Sequence, residues 1–127
     1  MKPILVLLTL LFTTVFAAGE TFDGFYEVAK ENCHDIAAIR VEMDRINNEI
    51  LRLMTERTAY VKRAGDLKSK TTRVADDRQR VADQERKITE LSEELGLPLG
   101  ISIPTFRVLM ETSIQFQQGY IDQLPVD

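Results

Sequence analysis

The sequence DIAAIRVEMDRINNEILRLMTERTAYVKRAGDLKSK, residues 35–70, is one uninterrupted amphipathic pattern that sets the architecture of the chain. It has no proline and one glycine, and its apolar residues recur at intervals of three, four and seven, the period of an α-helix. These are Ile36, Ile39, Met43, Ile46, Ile50, Leu53, Met54, Val61, Ala64 and Leu67. Such a helix is about 50 Å long, too long to bury its stripe in one small monomer. We therefore expect an intertwined helical homodimer.

Two further helices follow the long one. The second is predicted over residues 74–95 and ends at Gly96, with Pro98 two residues on, which is a helix-stop pattern. Ser102 and Pro104 predict the start of the third helix. Strand-like alternation is missing from the sequence. The predicted fold class is all-α, with three helices of which the N-terminal one is long.

The N-terminus has the composition of a secretory signal peptide. Lys2 supplies a short positive start, residues 4–16 form an almost unbroken apolar run, and small residues follow. We expect a signal peptide at residues 1–18 and a helical domain at residues 19–127, either secreted or periplasmic. The alternative is an uncleaved membrane anchor. After cleavage, residues 20–32 have room for a short helix whose aromatic side chains would pack on the core.

Composition excludes several classes of function. The chain has 127 residues, a net charge of −4 and no tryptophan, and without a basic run it gives no basis for nucleic-acid binding. Cys33 is the only cysteine, so an intramolecular disulfide cannot form; the thiol is either buried or paired with another chain. Cys33 and His34 alone do not make a zinc site, and we expect no bound metal.

Seven polar residues lie among apolar neighbours in four separated helical segments. They are Arg40, Arg57, Lys68, Asp83, Arg86, Ser113 and Gln117. Cations that converge inside a helical protein need an anionic partner, because an unpaired buried charge is costly. We therefore consider these residues as one site that binds an anion.

Helical geometry tests whether these cations can share a ligand. Arg57 and Lys68 lie on one face of the helix about 16 Å apart, with the small side chains of Val61 and Ala64 between them. This arrangement suits a small dianion. Arg40 lies about 25 Å before Arg57 and about 100° round the helix, so it can reach the same ligand only from a second subunit.

Each residue taken alone also fits an ordinary surface role. Arg40 fits a solvated helix face, and Arg57 fits a surface salt bridge with a neighbour. Lys68 fits a charge that complements the C-terminal end of its helix dipole. The functional interpretation rests on the ordered set and not on any single residue.

The ordered set resembles the all-helical (AroQ-class) chorismate mutases. The resemblance covers residues 39–68, 81–86 and 106–118, in order and on three helices. It implies a cofactor-free isomerase that converts chorismate to prephenate by a unimolecular Claisen rearrangement. Such a reaction needs confinement of the substrate in its reactive shape and positive charge near the ether oxygen of the breaking bond.

The resemblance assigns a role to each polar residue. Arg57, Lys68 and an Arg40 from the partner chain would bind the two carboxylates of chorismate, since arginine matches a carboxylate with two parallel donors. Lys68 and Gln117 would hydrogen-bond the ether oxygen, so Lys68, Gln117 and Arg57 are the catalytic residues. Asp83 would contact the substrate hydroxyl. The other two substrate-binding positions, a carboxylate-binding arginine and a further polar contact, are Arg86 and Ser113.

The sequence departs from the family pattern at two points. Members commonly have a glutamate directly after the arginine matched by Arg86, whereas this chain has Lys87, which leaves the orientation of the substrate open. Residues 69–82 also form a longer span than in compact members, and we expect its polar middle, residues 71–78, to form an extended loop over the pocket.

Three functions remain open from the sequence. The first is a secreted, dimeric chorismate mutase. The second is an isochorismate-pyruvate lyase, which makes salicylate and pyruvate and shares the fold and the Arg/Arg/Lys/Gln set. The third is a non-catalytic secreted helical module that dimerises and binds a partner protein. The first two require turnover without an added cofactor.

Overall fold

The protein is described by a computed structural model over residues 20–126; the predicted signal peptide lies outside this range. The described residues form four helices and no strand: α1 (Phe22–Asn32), α2 (Ile36–Lys68), α3 (Arg78–Leu95) and α4 (Leu99–Gln123). The all-α class is confirmed, with four helices instead of three because residues 22–32 also fold into one. No helix in the described part of the chain is both long and apolar enough to span a membrane.

Side-chain caps explain where α2 and α3 begin. Asp35 accepts a 2.7 Å hydrogen bond from the Ala38 N–H at the start of α2. Asp77 accepts a 3.1 Å bond from the Arg80 N–H at the start of α3, four residues later than the sequence predicts. Gly96 ends α3 in the left-handed conformation (φ 70°) as expected.

The last helix, α4, starts earlier than predicted. It begins at Leu99, and Pro104 lies inside it. Pro104 lies in the second turn of α4, and its missing N–H removes one intrahelical hydrogen bond. Ser102 is not a cap: its hydroxyl lies 2.8 Å from that of Ser92 on α3, and both residues are buried.

Helix α4 is the centre of the fold, because it packs against both α2 and α3. Met110 and Ile121 of α4 are buried in this core, together with Ala75 of the loop. Gly65 of α2 allows a close approach to α4, since a Cβ at this position would lie 3.0 Å from Tyr120 and 3.3 Å from Gln117. Residues 57–68 of α2 therefore have their packing partner within the chain.

The rest of α2 has no such partner in the part of the chain that the structure describes. Along residues 36–54, which we call the uncovered segment, the large apolar side chains are exposed in the single chain. They are Ile36, Ile39, Val41, Met43, Ile46, Ile50, Leu51, Leu53 and Met54. The aromatic residues of α1 are also exposed, contrary to the expectation that they pack on the core, and Cys33 is a half-buried free thiol.

The loop between α2 and α3, residues 69–77, is tied to α4. Arg73 has a left-handed backbone (φ 56°), and its guanidinium donates to the carbonyls of Ile121 and Leu124 at 2.9 Å each. These carbonyls belong to the C-terminal end of α4, where helical partners are missing. The loop thus includes most of the polar stretch 71–78 that was predicted to form it, and Arg73 fixes it at its middle.

Candidate active site

A cavity of about 110 Å³ lies between α2, α3, α4 and the loop. Three cations line it: Arg57 and Lys68 from α2 and Arg80 from α3. Apolar side chains form much of the remaining wall, among them Val61 and Ile114. The predicted residues Arg57, Lys68, Ser113 and Gln117 all lie at this one cavity.

Lys68 is held by two neutral oxygens. Its Nζ donates to the Ala75 carbonyl at 2.8 Å and to Gln117 Oε1 at 2.9 Å. An ammonium group has three N–H donors, so one remains for a ligand in the cavity. No carboxylate of the described residues forms an ion pair with Lys68.

Gln117 connects α4 to α2 at the cavity wall. Its side chain is 5% exposed, and while Oε1 accepts from Lys68, Nε2 donates to the Val61 carbonyl at 2.6 Å. The amide is therefore fixed in one orientation. Its second N–H remains available to an acceptor in the cavity.

Arg57 reaches the cavity next to a second arginine. Its Nη1 donates to Ser113 Oγ at 2.7 Å, and Ser113 in turn donates to the Leu109 carbonyl at 2.6 Å. Partial burial, and to a lesser extent the positive charge of Arg80, lower the pKa of Arg57 from its ordinary value. The guanidinium stays protonated all the same. Two like charges thus face one cavity, and within residues 20–126 neither forms an ion pair with a carboxylate.

The residues that α3 contributes differ from those predicted. Asp83 and Arg86 do not line the cavity: Asp83 accepts a 3.2 Å bond from Gln79, and Arg86 pairs with Glu90 at 3.2 Å on an exposed surface. The same Asp-x-x-Arg spacing occurs six residues earlier as Asp77 and Arg80, and this pair lines the cavity.

With Arg80 in place of Arg86 at the cavity, the residue directly after the site arginine is Val81 and not Lys87. Lys87 is exposed and away from the cavity, so it is not a departure within the site. Val81 follows Arg80 and lines the cavity with an apolar side chain, and Gln84 contributes a polar amide one turn further on. The sequence signal that could have revealed this register is Asp77 itself, a good N-cap residue directly before the helix.

Arg40 lies far from the cavity in the single chain. It is exposed, forms no ion pair among the described residues, and lies within the uncovered segment of α2. The structure therefore brings four of the seven predicted residues together and leaves Arg40, Asp83 and Arg86 outside.

The charge balance of the cavity indicates the ligand that it suits. Arg57, Lys68 and Arg80 face it, whereas Asp77 is its only lining carboxylate among the described residues and caps α3. Two guanidinium groups and one ammonium fit a small molecule with more than one carboxylate. Among the described residues no cluster of His, Cys, Asp and Glu side chains is arranged to hold a metal ion.

Comparison with known proteins agrees with this chemistry. The family model for chorismate mutase type II matches residues 39–118. The chain is 28% identical over 88 residues to a protein of Methanocaldococcus jannaschii named chorismate mutase, covering 69% of this chain and 89% of that protein. No solved structure gives a significant match. The chain therefore belongs to the chorismate mutase type II family and, as the sequence resemblance predicts, is an isomerase of that family.

Proposed function

We propose that this protein rearranges chorismate to prephenate in the cavity between α2, α3 and α4, as a homodimer with two shared sites, outside the cytoplasm. The observation that carries the proposal is the set of three cations around one cavity, Arg57, Lys68 and Arg80, none of which forms an ion pair with another described residue. A dicarboxylate would remove the repulsion between them and supply the missing negative charge.

The rearrangement breaks the C–O bond of the enolpyruvyl ether while a new C–C bond forms in the same molecule. Negative charge develops on the ether oxygen, where the free N–H of Lys68 and the second amide N–H of Gln117 can donate. Donors that are already fixed need no reorganisation as the charge develops, and one such donor contributes about 3–4 kcal/mol to lowering a barrier.

The two arginines would hold the substrate in its reactive shape. Arg57, fixed by Ser113, and Arg80, at the start of α3, approach the cavity from different helices. When the arginines bind both carboxylates of the substrate, its flexible enolpyruvyl side chain is kept close to the ring carbon with which it reacts. Such confinement lowers the barrier without any covalent step.

The uncovered segment supports the proposal that the protein is a homodimer. Exposed apolar surface of this extent along one helix marks an interaction surface. Arg40 lies in this segment, about 25 Å along α2 from Arg57, so a copy packed along the segment could bring its own Arg40 to the cavity. We propose that each site takes Arg40 from the partner subunit.

Action outside the cytoplasm is supported by the sequence of residues 1–18. N-terminal sequencing of the exported protein is the test. A mature N-terminus close to residue 19 is the expected result, and an intact N-terminus retained in the membrane would favour the anchor.

A second activity, cleavage of isochorismate to salicylate and pyruvate, is favoured by one observation. Val81 directly follows the cavity arginine Arg80, where the family resemblance leads us to expect a glutamate. An apolar residue at this point removes a hydrogen-bonding partner for the ring hydroxyl, whose position differs between chorismate and isochorismate.

One experiment separates these functions. The protein lacking residues 1–18 is incubated with chorismate and, separately, with isochorismate, without cofactor, and the products are separated chromatographically. We expect prephenate from chorismate, with Lys68→Ala as the inactive control. Salicylate and pyruvate as the dominant products would favour the lyase. If neither substrate is turned over, the protein is a non-catalytic module.

A further inference from the structure

The position of the Lys68 ammonium depends on a loop carbonyl. Of its two acceptors, Gln117 Oε1 belongs to a helix, but the Ala75 carbonyl belongs to the loop 69–77. The N–H groups that form backbone–backbone turn bonds in this loop are those of Ser69, Lys70, Thr71 and Arg73, and Ala75 lies beyond them. Ala75 is 2% exposed, so water has little access to its peptide groups. Other groups of the protein must therefore set the orientation of this carbonyl.

Gln118 is the side chain that holds the backbone next to this carbonyl. Its Oε1 accepts from the Ala75 N–H at 2.9 Å, and its Nε2 donates to the Arg73 carbonyl at 3.1 Å. One primary amide thus holds the backbone on both sides of Val74. Nε2 also donates to Asp122 Oδ1 at 2.9 Å, which fixes the orientation of the amide itself.

The two neighbouring glutamines of α4 therefore have different tasks. Gln117 lines the cavity and bonds Lys68 directly, whereas Gln118 is not a lining residue and contacts the loop. Consecutive helical residues point about 100° apart, so one helix can reach both the ammonium and the loop that supports it.

The attachment of the loop as a whole does not depend on Gln118. Arg73 donates to the carbonyls of Ile121, Leu124 and Pro125 at the end of α4 and to that of Ser69. Loss of the Gln118 amide should leave this anchor in place and free only the peptide groups around Ala75. The effect should then be local to Lys68.

We propose that Gln118 is a positioning residue: by holding the backbone at Arg73 and Ala75 it aims the Ala75 carbonyl, and through that carbonyl the Lys68 ammonium, at the cavity. The inference rests on the proposed function, because it concerns the group assigned to the ether oxygen. It adds a residue that never touches the substrate.

The kinetic test compares Gln118→Leu with Gln115→Leu. Gln115 is an exposed residue of α4 whose side chain forms no hydrogen bond among the described residues. We expect Gln118→Leu to lower kcat by about tenfold to a hundredfold, the scale of a small misplacement of a catalytic group, with little change in KM. Gln115→Leu should leave both constants unchanged. A normal kcat in folded Gln118→Leu overturns the proposal.

A double-mutant cycle with Lys68→Ala separates positioning from a general loss of structure. If Gln118 acts through the ammonium, Gln118→Leu should cause no further loss of kcat in the Lys68→Ala background. A loss as large as in wild type contradicts the proposal. Should Gln118→Leu fail to fold, the cycle is run with Gln118→Met. That variant keeps an unbranched side chain of similar length and removes the hydrogen bonds to Ala75 and Arg73 without adding a charge beside Asp122, so the same loss is expected.

A spectroscopic measurement tests the inference independently of turnover. The ammonium of ¹⁵N-labelled Lys68, held by two carbonyl oxygens, should exchange its protons slowly enough to give an NMR signal. This signal should broaden or shift in Gln118→Leu and stay unchanged in Gln115→Leu; an identical signal in all three proteins overturns the proposal. Inactivity of the wild type towards chorismate would overturn the proposed function alone.

Discussion

The two ends of α2 belong to one helix but have very different surroundings. Residues 57–68 contact α4 through Arg57, Val61, Gly65, Asp66 and Lys68. In the uncovered segment, residues 36–54, the large apolar side chains are exposed, and the ion pairs there, such as Arg45 with Glu42, are local to the helix. Residues 20–126 of one chain thus build the cavity but leave about half of α2 without a core.

This difference shows which parts of the function one chain can carry. The contacts that fix Lys68 and Gln117 lie within one chain, so the two donors proposed for the ether oxygen need no partner subunit to be positioned. The uncovered segment has the apolar character of a subunit interface and carries Arg40. Predictions about the two ends should therefore differ in whether they depend on association.

The largest effect is expected at the cavity end, from Lys68→Ala. Removal of the ammonium leaves the ether oxygen without its cationic donor, and we expect kcat/KM to fall about a hundredfold or more. Lys62→Ala is the matched control, because Lys62 lies on the same helix and its ammonium is over the Tyr120 ring, away from the cavity. Near-normal turnover in a Lys68→Ala protein with intact helical circular dichroism would remove Lys68 from the site.

The second prediction concerns the uncovered end and tests whether Arg40 acts across subunits. Arg40→Ala and Arg57→Ala homodimers should each be nearly inactive. Mixed and allowed to exchange subunits, they form heterodimers in which one site carries both defects and the other none. With random assortment half of the dimers are mixed, so activity should recover to about a quarter of the wild-type value.

Subunit exchange in that experiment is followed with two different affinity tags. If the tags show exchange and activity does not recover, Arg40 either acts within its own chain or has no role in the site. Sedimentation of the wild-type protein as a monomer at micromolar concentration would exclude the shared site altogether.

The third prediction compares two arginines of α3. Arg80 lines the cavity, whereas Arg86 pairs with Glu90 on the surface. Arg80→Ala should lower kcat/KM by about tenfold to a hundredfold, as expected for loss of a charged hydrogen bond to a carboxylate. Arg86→Ala should leave kcat/KM close to wild type, since exposed ion pairs contribute little. A large loss in Arg86→Ala and a small one in Arg80→Ala would instead support the sequence prediction that Asp83 and Arg86 belong to the site.

The sequence could not predict which of the two Asp-x-x-Arg pairs lies at the cavity. Spacing within one helix predicted that Arg57 and Lys68 share a face and that Ser113 and Gln117 share another, and the family resemblance assigned the two pairs to one site. The chain has two Asp-x-x-Arg pairs in α3, six residues apart, which is about 120° round the helix. The choice between them depends on where the helix begins, and the loop and the Asp77 cap decide this.

The loop itself depends on interactions that sequence patterns do not encode. Arg73 adopts a left-handed backbone that is uncommon for a residue with a side chain, and it is stabilised there by carbonyls about fifty residues away in sequence. The sequence likewise does not distinguish Gln118 from the other polar residues of α4. Its role becomes visible only from its hydrogen bond to the Ala75 N–H in the structure. Such long-range bonds decided the length of the loop and the start of α3.

The smallest effect is expected from Tyr120→Phe, which tests how the cavity end of α2 is fixed to α4. The Tyr120 hydroxyl donates a hydrogen bond to Asp66, and this bond is the main reason that the pKa of Asp66 is lowered from 3.8 and that of Tyr120 is raised from 10.0. A carboxyl with a lowered pKa stabilises the fold above its unfolded pKa, and this stabilisation is lost as the pH falls through the folded value. A phenol with a raised pKa stabilises the fold below its unfolded pKa, and this is lost as the pH rises through the folded value.

The wild type should therefore have a higher Tm than Tyr120→Phe at neutral pH, and the difference should shrink towards both acidic and strongly alkaline pH. Phenylalanine keeps the aromatic ring beneath the Lys62 ammonium, so the comparison isolates the hydroxyl.

Tyr60→Phe is the control, because Tyr60 is exposed and its hydroxyl forms no hydrogen bond among residues 20–126. Thermal unfolding of the three proteins from acidic to alkaline pH gives the result. A Tm difference that stays constant across this range would mean that the Tyr120–Asp66 bond does not hold the two helices together, and the attachment of this end of α2 to α4 would then rest on its other contacts, the packing around Gly65 and the hydrogen bonds of Gln117.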